Sequence, residues 1–387
     1  MSEWKEYKLE DITTEIGDGI HGTPIYSEDG EFYFINGNNI SNGKVIIKGD
    51  TKRVNQIEFE KYKKPLSDRT ILLSINGTIG NVGFYNNEKC ILGKSACYFN
   101  LKDNVDKHFV YYTFLADNFQ SHLLNIATGT TIQNVPLKGL RESTIMLPPL
   151  DEQKRIASIL SSLDDKIDLL NRENATLEAM AETLFRQWFI EEAKENWKEG
   201  KLGDILSVKG GTTPSTKESR YWDGDIAWTS PRDITTLNGI YLFKTEKTIT
   251  EVGLKQISSG LLPKGTLLMS SRAPVGVLAF AEIPLAINQG YIAILDDKGY
   301  AKEFIYLWLK TNMDLVHSYS NGSTFMEISK SAFKSLDITI PSQKEVSDFV
   351  TMIKPYFDKI KLNEEQIRLI TKQRDVLLPK LMSNTNI

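Results

Sequence analysis

The chain repeats itself once, at a fixed separation of 193 positions. Trp4-Lys5-Glu6 returns as Trp197-Lys198-Glu199, Leu9-Glu10-Asp11 as Leu202-Gly203-Asp204, and Asp165-Lys166-Ile167 as Asp358-Lys359-Ile360. Gly129-Thr130-Thr131 returns as Gly322-Ser323-Thr324, and Leu184 as Leu377. Each copy is a globular stretch that ends in a long helical pattern. One chain built this way makes a pseudo-two-fold object, which suits a ligand that also comes in two halves, duplex DNA foremost.

The helical patterns are unusually regular. After Pro148-Pro149, with Asp151 placed as N-cap, apolar residues alternate at steps of four and three: Ile156, Leu160, Leu163, Ile167, Leu170, then Leu177, Ala181, Leu184 and Trp188. Asn174 is the one polar interruption. This is a coiled-coil seam, beyond what a helix lying on a core requires. The tail follows suit with Ile353, Tyr356, Ile360, Asn363, Ile367, Ile370, Arg374, Leu377 and Leu381, after a capping box at Ser342-Gln343-Lys344-Glu345. Pro355 lies inside it and predicts a kink or a late helix start. A helix of about 35 residues spans roughly 50 Å. Two equivalent domains that each feed a helix favour antiparallel pairing. The charges agree, since residues 151–196 carry 11 acidic and 6 basic side chains, and residues 342–387 carry 8 basic and 6 acidic.

The globular stretches read as mixed strand and helix. Phe32-Tyr33-Phe34-Ile35, Thr70 to Ser74 and Ala96 to Phe99 are short strand-like runs bounded by Gly, Asn and Asp. His108 to Leu124 has helical spacing. Ile226-Ala227-Trp228, Thr266 to Ser270 and Phe304 to Leu309 answer these in the second copy. The expected fold class is α+β: two similar mixed α/β domains joined by two long helices in an antiparallel coiled coil. The expected boundaries are 1–150, 151–196, 197–341 and 342–387.

Several function classes find no support. No run of about 18 apolar residues predicts a membrane span. The charged start lacks a signal-peptide pattern, and Cys90 and Cys97 make no metal-type spacing, so a cytoplasmic location is expected. No phosphate-binding loop or dinucleotide fingerprint is present. The Asn/Asp-Pro-Pro-aromatic motif of adenine methyltransferases is missing, since Leu147 and Leu150 flank Pro148-Pro149. His21, His108, His122 and His317 are scattered. No catalytic or metal-binding residues are identified.

Leu147-Pro148-Pro149-Leu150-Asp151-Glu152-Gln153-Lys154-Arg155-Ile156, then Leu163-Asp164-Asp165-Lys166-Ile167, then Leu184-Phe185-Arg186-Gln187-Trp188-Phe189 resemble the central region of type I restriction-modification specificity subunits. Ile340-Pro341-Ser342-Gln343-Lys344 is a looser copy. Trp228-Thr229-Ser230-Pro231-Arg232-Asp233-Ile234 resembles the family's early recognition-domain motif. The resemblance spans the chain in four segments. It implies a non-catalytic subunit with two target-recognition domains, each reading half of a split, asymmetric DNA target. It implies helices that set the gap and dock two modification subunits, with restriction/translocase subunits joining. S-adenosylmethionine and ATP then belong to those partners, with no cofactor in this chain. The competing readings are a methyltransferase with its own recognition domains and a coiled-coil scaffold without DNA affinity.

Phosphate contacts position a protein on DNA and base-edge contacts specify sequence. Lys44, Lys48, Lys52, Arg53, Lys61, Lys63, Lys64 and Arg69 face only Asp50, Glu58, Glu60 and Asp68, so this stretch is read as a phosphate-facing arm or a solvated loop. Lys217, Arg220, Arg232 and Arg272, beside Trp222, are the second-half cations. Asn288-Gln289 suits adenine, and Arg232 or Arg272 suits guanine. The recurring loops with Thr130-Thr131 and Ser323-Thr324 are either DNA-side loops or tight turns. Gly210-Gly211-Thr212-Thr213-Pro214 is a loop turn or an anion cradle. Asn38-Asn39 against Arg232-Asp233, and Asn76-Gly77-Thr78 against Arg272-Ala273-Pro274, predict unlike half-targets.

Overall fold

A computed structural model of the chain describes residues 4–295, 298–322 and 326–383. The chain forms two compact units, Met1–Ile167 with Leu369–Ile387, and Asp168–Arg368.

In the first unit, strand Lys5–Lys8 pairs antiparallel with Thr144–Leu147, with Lys5 opposite Leu147. The main sheet is antiparallel, in the order Thr13–Asp18, Ala96–Leu101, Thr70–Ser74, Val82–Phe84. Thr70–Ser74 is buried throughout, which is why it reads as a continuous apolar run rather than an alternating one. A second sheet orders Arg53–Val54, Phe32–Ile35 and Cys90–Leu92, and its last pair is parallel. Phe99, Phe109, Phe114 and Phe119 pack with Ile71 and Leu73 to form the core.

The second unit repeats this plan. Lys198 lies opposite Ile340 and Lys201 opposite Asp337, each residue 193 positions on from its counterpart. Its larger sheet orders Ser207–Lys209, Tyr291–Leu295, Leu267–Ser270, Leu278–Ala281 and Tyr241–Leu242. Its smaller sheet orders Lys247–Ile249, Trp222–Thr229 and Leu285–Ile287, again with a parallel last pair.

Two long helices, Leu150–Arg186 and Gln343–Met382, contribute to both units. Within the first unit, Leu377 and Leu381 pack on the core that holds Ile156 and Leu160, and Arg374 Nη1 meets Asp164 Oδ1 at 2.9 Å. Within the second, Asn363 meets Asn174, and Phe349 meets Phe185. In each, rising numbers on one helix face falling numbers on the other, so the pairing is antiparallel. None of the seam positions Leu160, Leu163, Ile167, Leu170, Leu177, Leu184, Ile353, Ile360, Ile367, Ile370 and Leu377 is exposed.

Polar groups break the seam at defined places. Asn363 is fully buried and its Nδ2 donates to Asn174 Oδ1 at 2.8 Å and Glu173 Oε2 at 2.9 Å. A one-residue slip would leave that amide unpaired, so the pair fixes register at some cost in stability. In the first unit, Asp164 accepts from Tyr112 OH at 2.7 Å as well as from Arg374.

Three expectations need correction. The central helix starts at Leu150, so Asp151 lies in its first turn instead of capping it. Gln153 serves that end, since its side chain donates to Pro148 O and accepts from Asp106 N. The C-terminal helix starts at Gln343, capped by Ser342 and Glu345, and continues through Pro355. Pro355 is exposed there while Ile353 and Phe357 are held in the core, so packing retains the turn that proline weakens. The stretch from His108 is two helices, Lys107–Leu115 and Asp117–Ile126, broken at an extended Ala116. The break lets Phe119 stack on Phe114 at 4.6 Å.

Glu364 links its helix to the second unit's sheet. It accepts from Ile240 N at 2.8 Å and Tyr241 N at 3.1 Å. Burial pushes its carboxyl up to about 7, although the two N–H donors favour the ionised form. An unfolded glutamate titrates near about 4.3. Between those values the folded chain keeps a proton that the unfolded chain has lost, so stability falls as pH rises through that window, on the order of 3–4 kcal/mol. Urea denaturation at pH 5 and pH 8 is expected to show a smaller difference for Glu364→Gln than for the native chain. An unchanged difference would contradict this.

Candidate nucleic-acid interface

Parallel strands end side by side, and here those ends carry the candidate residues. In the second unit, strands Trp222–Thr229 and Leu285–Ile287 run parallel, so the turns after Thr229 and after Ile287 are neighbours. Asn288 N donates to Thr229 O at 3.0 Å. Tyr291 OH donates to Ser230 O at 2.6 Å, and burial pushes this hydroxyl's pKa well up, which keeps it a donor. The next link is Ser271 N to Gly290 O at 2.8 Å, and then Ile328 N to Ser271 O at 3.0 Å. Four segments therefore stand in a row: Ser230–Arg232, Asn288–Gly290, Ser271–Gly276, and the antiparallel bridge of Asn321 with Glu327.

The first unit builds the same row. Gly93 N donates to Ile35 O at 2.8 Å, Ile75 N to Ser95 O at 3.0 Å, and Val135 N to Ile75 O at 2.8 Å. Ser95 Oγ accepts from Gly37 N and donates to Asn36 Oδ1. Thr128 and Asn134 exchange backbone bonds at 2.8 Å to close the hairpin. The row runs through Asn36–Asn39, Gly93–Ser95, Ile75–Gly80 and Thr128–Asn134.

Close backbone approach makes the row possible. A Cβ on Gly211 would lie 1.7 Å from Ile287 O, and one on Gly19 would lie 2.0 Å from Leu92 O. Only glycine fits at either place. The Gly210–Pro214 segment is thus a packed turn, with Thr212 Oγ1 donating to Gln256 O.

The structure sorts the candidate residues. Arg232 and Gln289 are exposed on the row, Arg272 is half-buried in it, and Thr130 and Thr131 are exposed at the hairpin tip. Ser323 and Thr324 lie outside the described residues. Arg232 approaches Glu246 at 3.8 Å and leaves Asp233 to cap its helix through Ser230 N. Asn288 is buried and accepts from Gly290 N, a turn role, so of the Asn288-Gln289 pair only Gln289 is available to a ligand. Gln289 Oε1 accepts from Thr213 Oγ1 at 2.7 Å.

The basic stretch does not act as one arm. Lys48 and Lys52 are exposed on a loop tied to the row, because Asn39 Nδ2 donates to Ile46 O and Thr51 Oγ1. Lys44 is exposed on the short strand Lys44–Val45, and Arg53 lies over the Tyr33 ring at 5.1 Å. Lys61 and Lys63 are matched by Glu58 and Glu60 on helix Gln56–Tyr62, with Lys64 just beyond it. The Tyr62 hydroxyl and Glu58 raise the Lys61 pKa. Arg69 turns inward, donating to Leu101 O, Lys102 O and Val105 O, which removes it from any interface. In the second unit Lys217 is exposed, and Arg220 pairs with Glu218 at 3.2 Å.

Lys94 was not anticipated from sequence. It is exposed at the row's centre, in the place Gln289 takes in the other unit. Its signal was the Gly93-Lys94-Ser95 break between two apolar runs, which the 193-residue spacing hides because the equivalent here lies 195 positions on.

Among the described residues, no helix is long and apolar enough to cross a membrane, and no His, Cys, Asp and Glu group could hold a metal ion.

Replacing Gly211 with alanine is expected to displace the Ile287 turn and cost on the order of 3 kcal/mol. Thermal unfolding measures this; a melting temperature equal to that of the native chain would show the approach to be dispensable.

The model of the type I restriction modification DNA specificity domain matches residues 1–179 and 194–372. The MjaIX specificity subunit of Methanocaldococcus jannaschii is 37% identical over 193 residues, 49% of this chain and 45% of that one, so the chain spans about half of that relative. The HindI specificity subunit of Haemophilus influenzae is 22% identical, covering 99% of both chains. The solved type I restriction-modification S subunit of M. genitalium superposes with a TM-score of 0.60 at 20% identity, over 100% of this chain and 97% of that one. That likeness is one of fold.

Proposed function

The chain belongs to the type I restriction modification DNA specificity family, and on that premise we propose that its two loop rows read the two halves of a split DNA target. The observation that carries this reading is the doubled row itself. The same hydrogen-bonded loops recur in both units, yet Asn36–Asn39, Asn76 and Lys94 in one stand against Ser230–Arg232, Arg272 and Gln289 in the other. A shared frame with different polar side chains predicts one docking geometry and two unlike half-targets.

Roles follow from chemistry. Lys48, Lys52 and Lys94 approach phosphates in the first unit, and Lys217 does so in the second. Arg232, Arg272, Gln289 and Asn76 address base edges. The paired helices set the gap between half-targets and dock two modification subunits. Restriction/translocase subunits join that assembly, which works in the cytoplasm. This chain recognises DNA and performs no reaction; S-adenosylmethionine and ATP act on the partner subunits.

The recognition domains are proposed as 1–150 and 197–341, with 151–196 and 342–387 as the helical regions. DNA binding by the assembled methyltransferase, titrated against salt, tests the phosphate assignment. The triple variant Lys48→Ala, Lys52→Ala and Lys94→Ala is expected to weaken binding on all sequences alike and to flatten the log–log salt dependence by about two to three. An unchanged slope would remove these lysines from the interface.

A further inference from the structure

Asn76 and Arg272 occupy the same point of the same loop. Ser74 and Ser270, both fully buried, close that loop in the same way. Ser74 Oγ accepts from Asn81 N at 2.8 Å, and Ser270 Oγ accepts from Val277 N at 2.9 Å. Gly80 N donates to Ser74 O, and Gly276 N to Ser270 O, each at 2.9 Å. The glycines have φ of 95° and 94°. Asn76 bridges to Asn134 of its hairpin, and Arg272 bridges to Glu327, itself bridged to Asn321.

The residue after each is left-handed: Gly77 at φ 72° and Ala273 at φ 50°. Glycine takes that conformation freely, but alanine is strained there. The second unit keeps the closing hydrogen bonds and the left-handed turn even where its sequence resists it. Strain held beside a polar side chain points to function.

The two side chains differ in what they present. Asn76 gives one N–H to Asn134 Oδ1 at 3.2 Å, which leaves a second N–H and its carbonyl oxygen. That donor–acceptor pair is what the adenine N7/N6 edge bonds. Arg272 is half-buried beside Glu327, and its fork of N–H donors matches guanine O6/N7.

We propose that Asn76 and Arg272 are matched base-reading positions, Asn76 specifying adenine in one half-target and Arg272 guanine in the other. This rests on the reading of the rows given above. The loops hold both side chains at one place in a common docking frame, so each decides one letter and leaves the other half-target untouched.

Binding of the assembled methyltransferase to a randomised duplex library, with sequencing of the bound fraction, tests it. Arg272→Ala and Arg272→Gln are expected to lose guanine preference at a single position of one half-target, by about 10- to 100-fold, with the other half unchanged. Asn76→Arg is expected to shift one letter of the opposite half-target from adenine to guanine. If Arg272→Gln keeps the native motif, or if Arg272→Ala weakens all sequences equally, the assignment is overturned. Should the native assembly yield no two-part motif, the half-target reading itself fails, which is a different outcome from a native motif that these variants leave unaltered.

Discussion

Everything proposed here depends on backbone hydrogen bonds that tie one loop to the next. Thr229 to Asn288, Gly290 to Ser271 and Ser271 to Ile328 are main-chain links, and the first unit has its equivalents. Main-chain links do not constrain the side chains they carry. The frame therefore survives change at its apices, and a lysine at position 94 can face the same way as a glutamine at position 289. Glycine at 19 and 211 is the exception, because a carbonyl occupies the space a side chain would fill.

The long helices solve a different problem. An apolar seam alone gives affinity without register, since sliding by a heptad preserves every apolar contact. Asn363 against Asn174, and Arg374 against Asp164, break that degeneracy within their units. Each polar pair forgoes apolar burial and in return favours one alignment, the one in which Asn363 Nδ2 and the Arg374 guanidinium find their acceptors.

Much of this was legible in the sequence. Four-three spacing gave the seam, because a helix places those positions on one face and nothing else in the chain competes for them. The repeat at 193 positions gave the matching strand registers at Lys5 and Lys198. What stayed hidden was three-dimensional. Arg69 reads as one more cation until its guanidinium is seen among three carbonyls. Asn288 reads as a base-seeking amide until it is seen closing a turn. The row of loops draws on four separated segments, and no local pattern announces that strands distant in sequence end together. Proline at 355 misled because local propensity yields when neighbours are buried.

Mapping methylated bases genome-wide in cells with and without this gene tests the central claim most directly. Two unlike half-motifs at one fixed separation, present only with the gene, are what the account predicts. A continuous motif, two identical halves, or methylation that persists without the gene would contradict it.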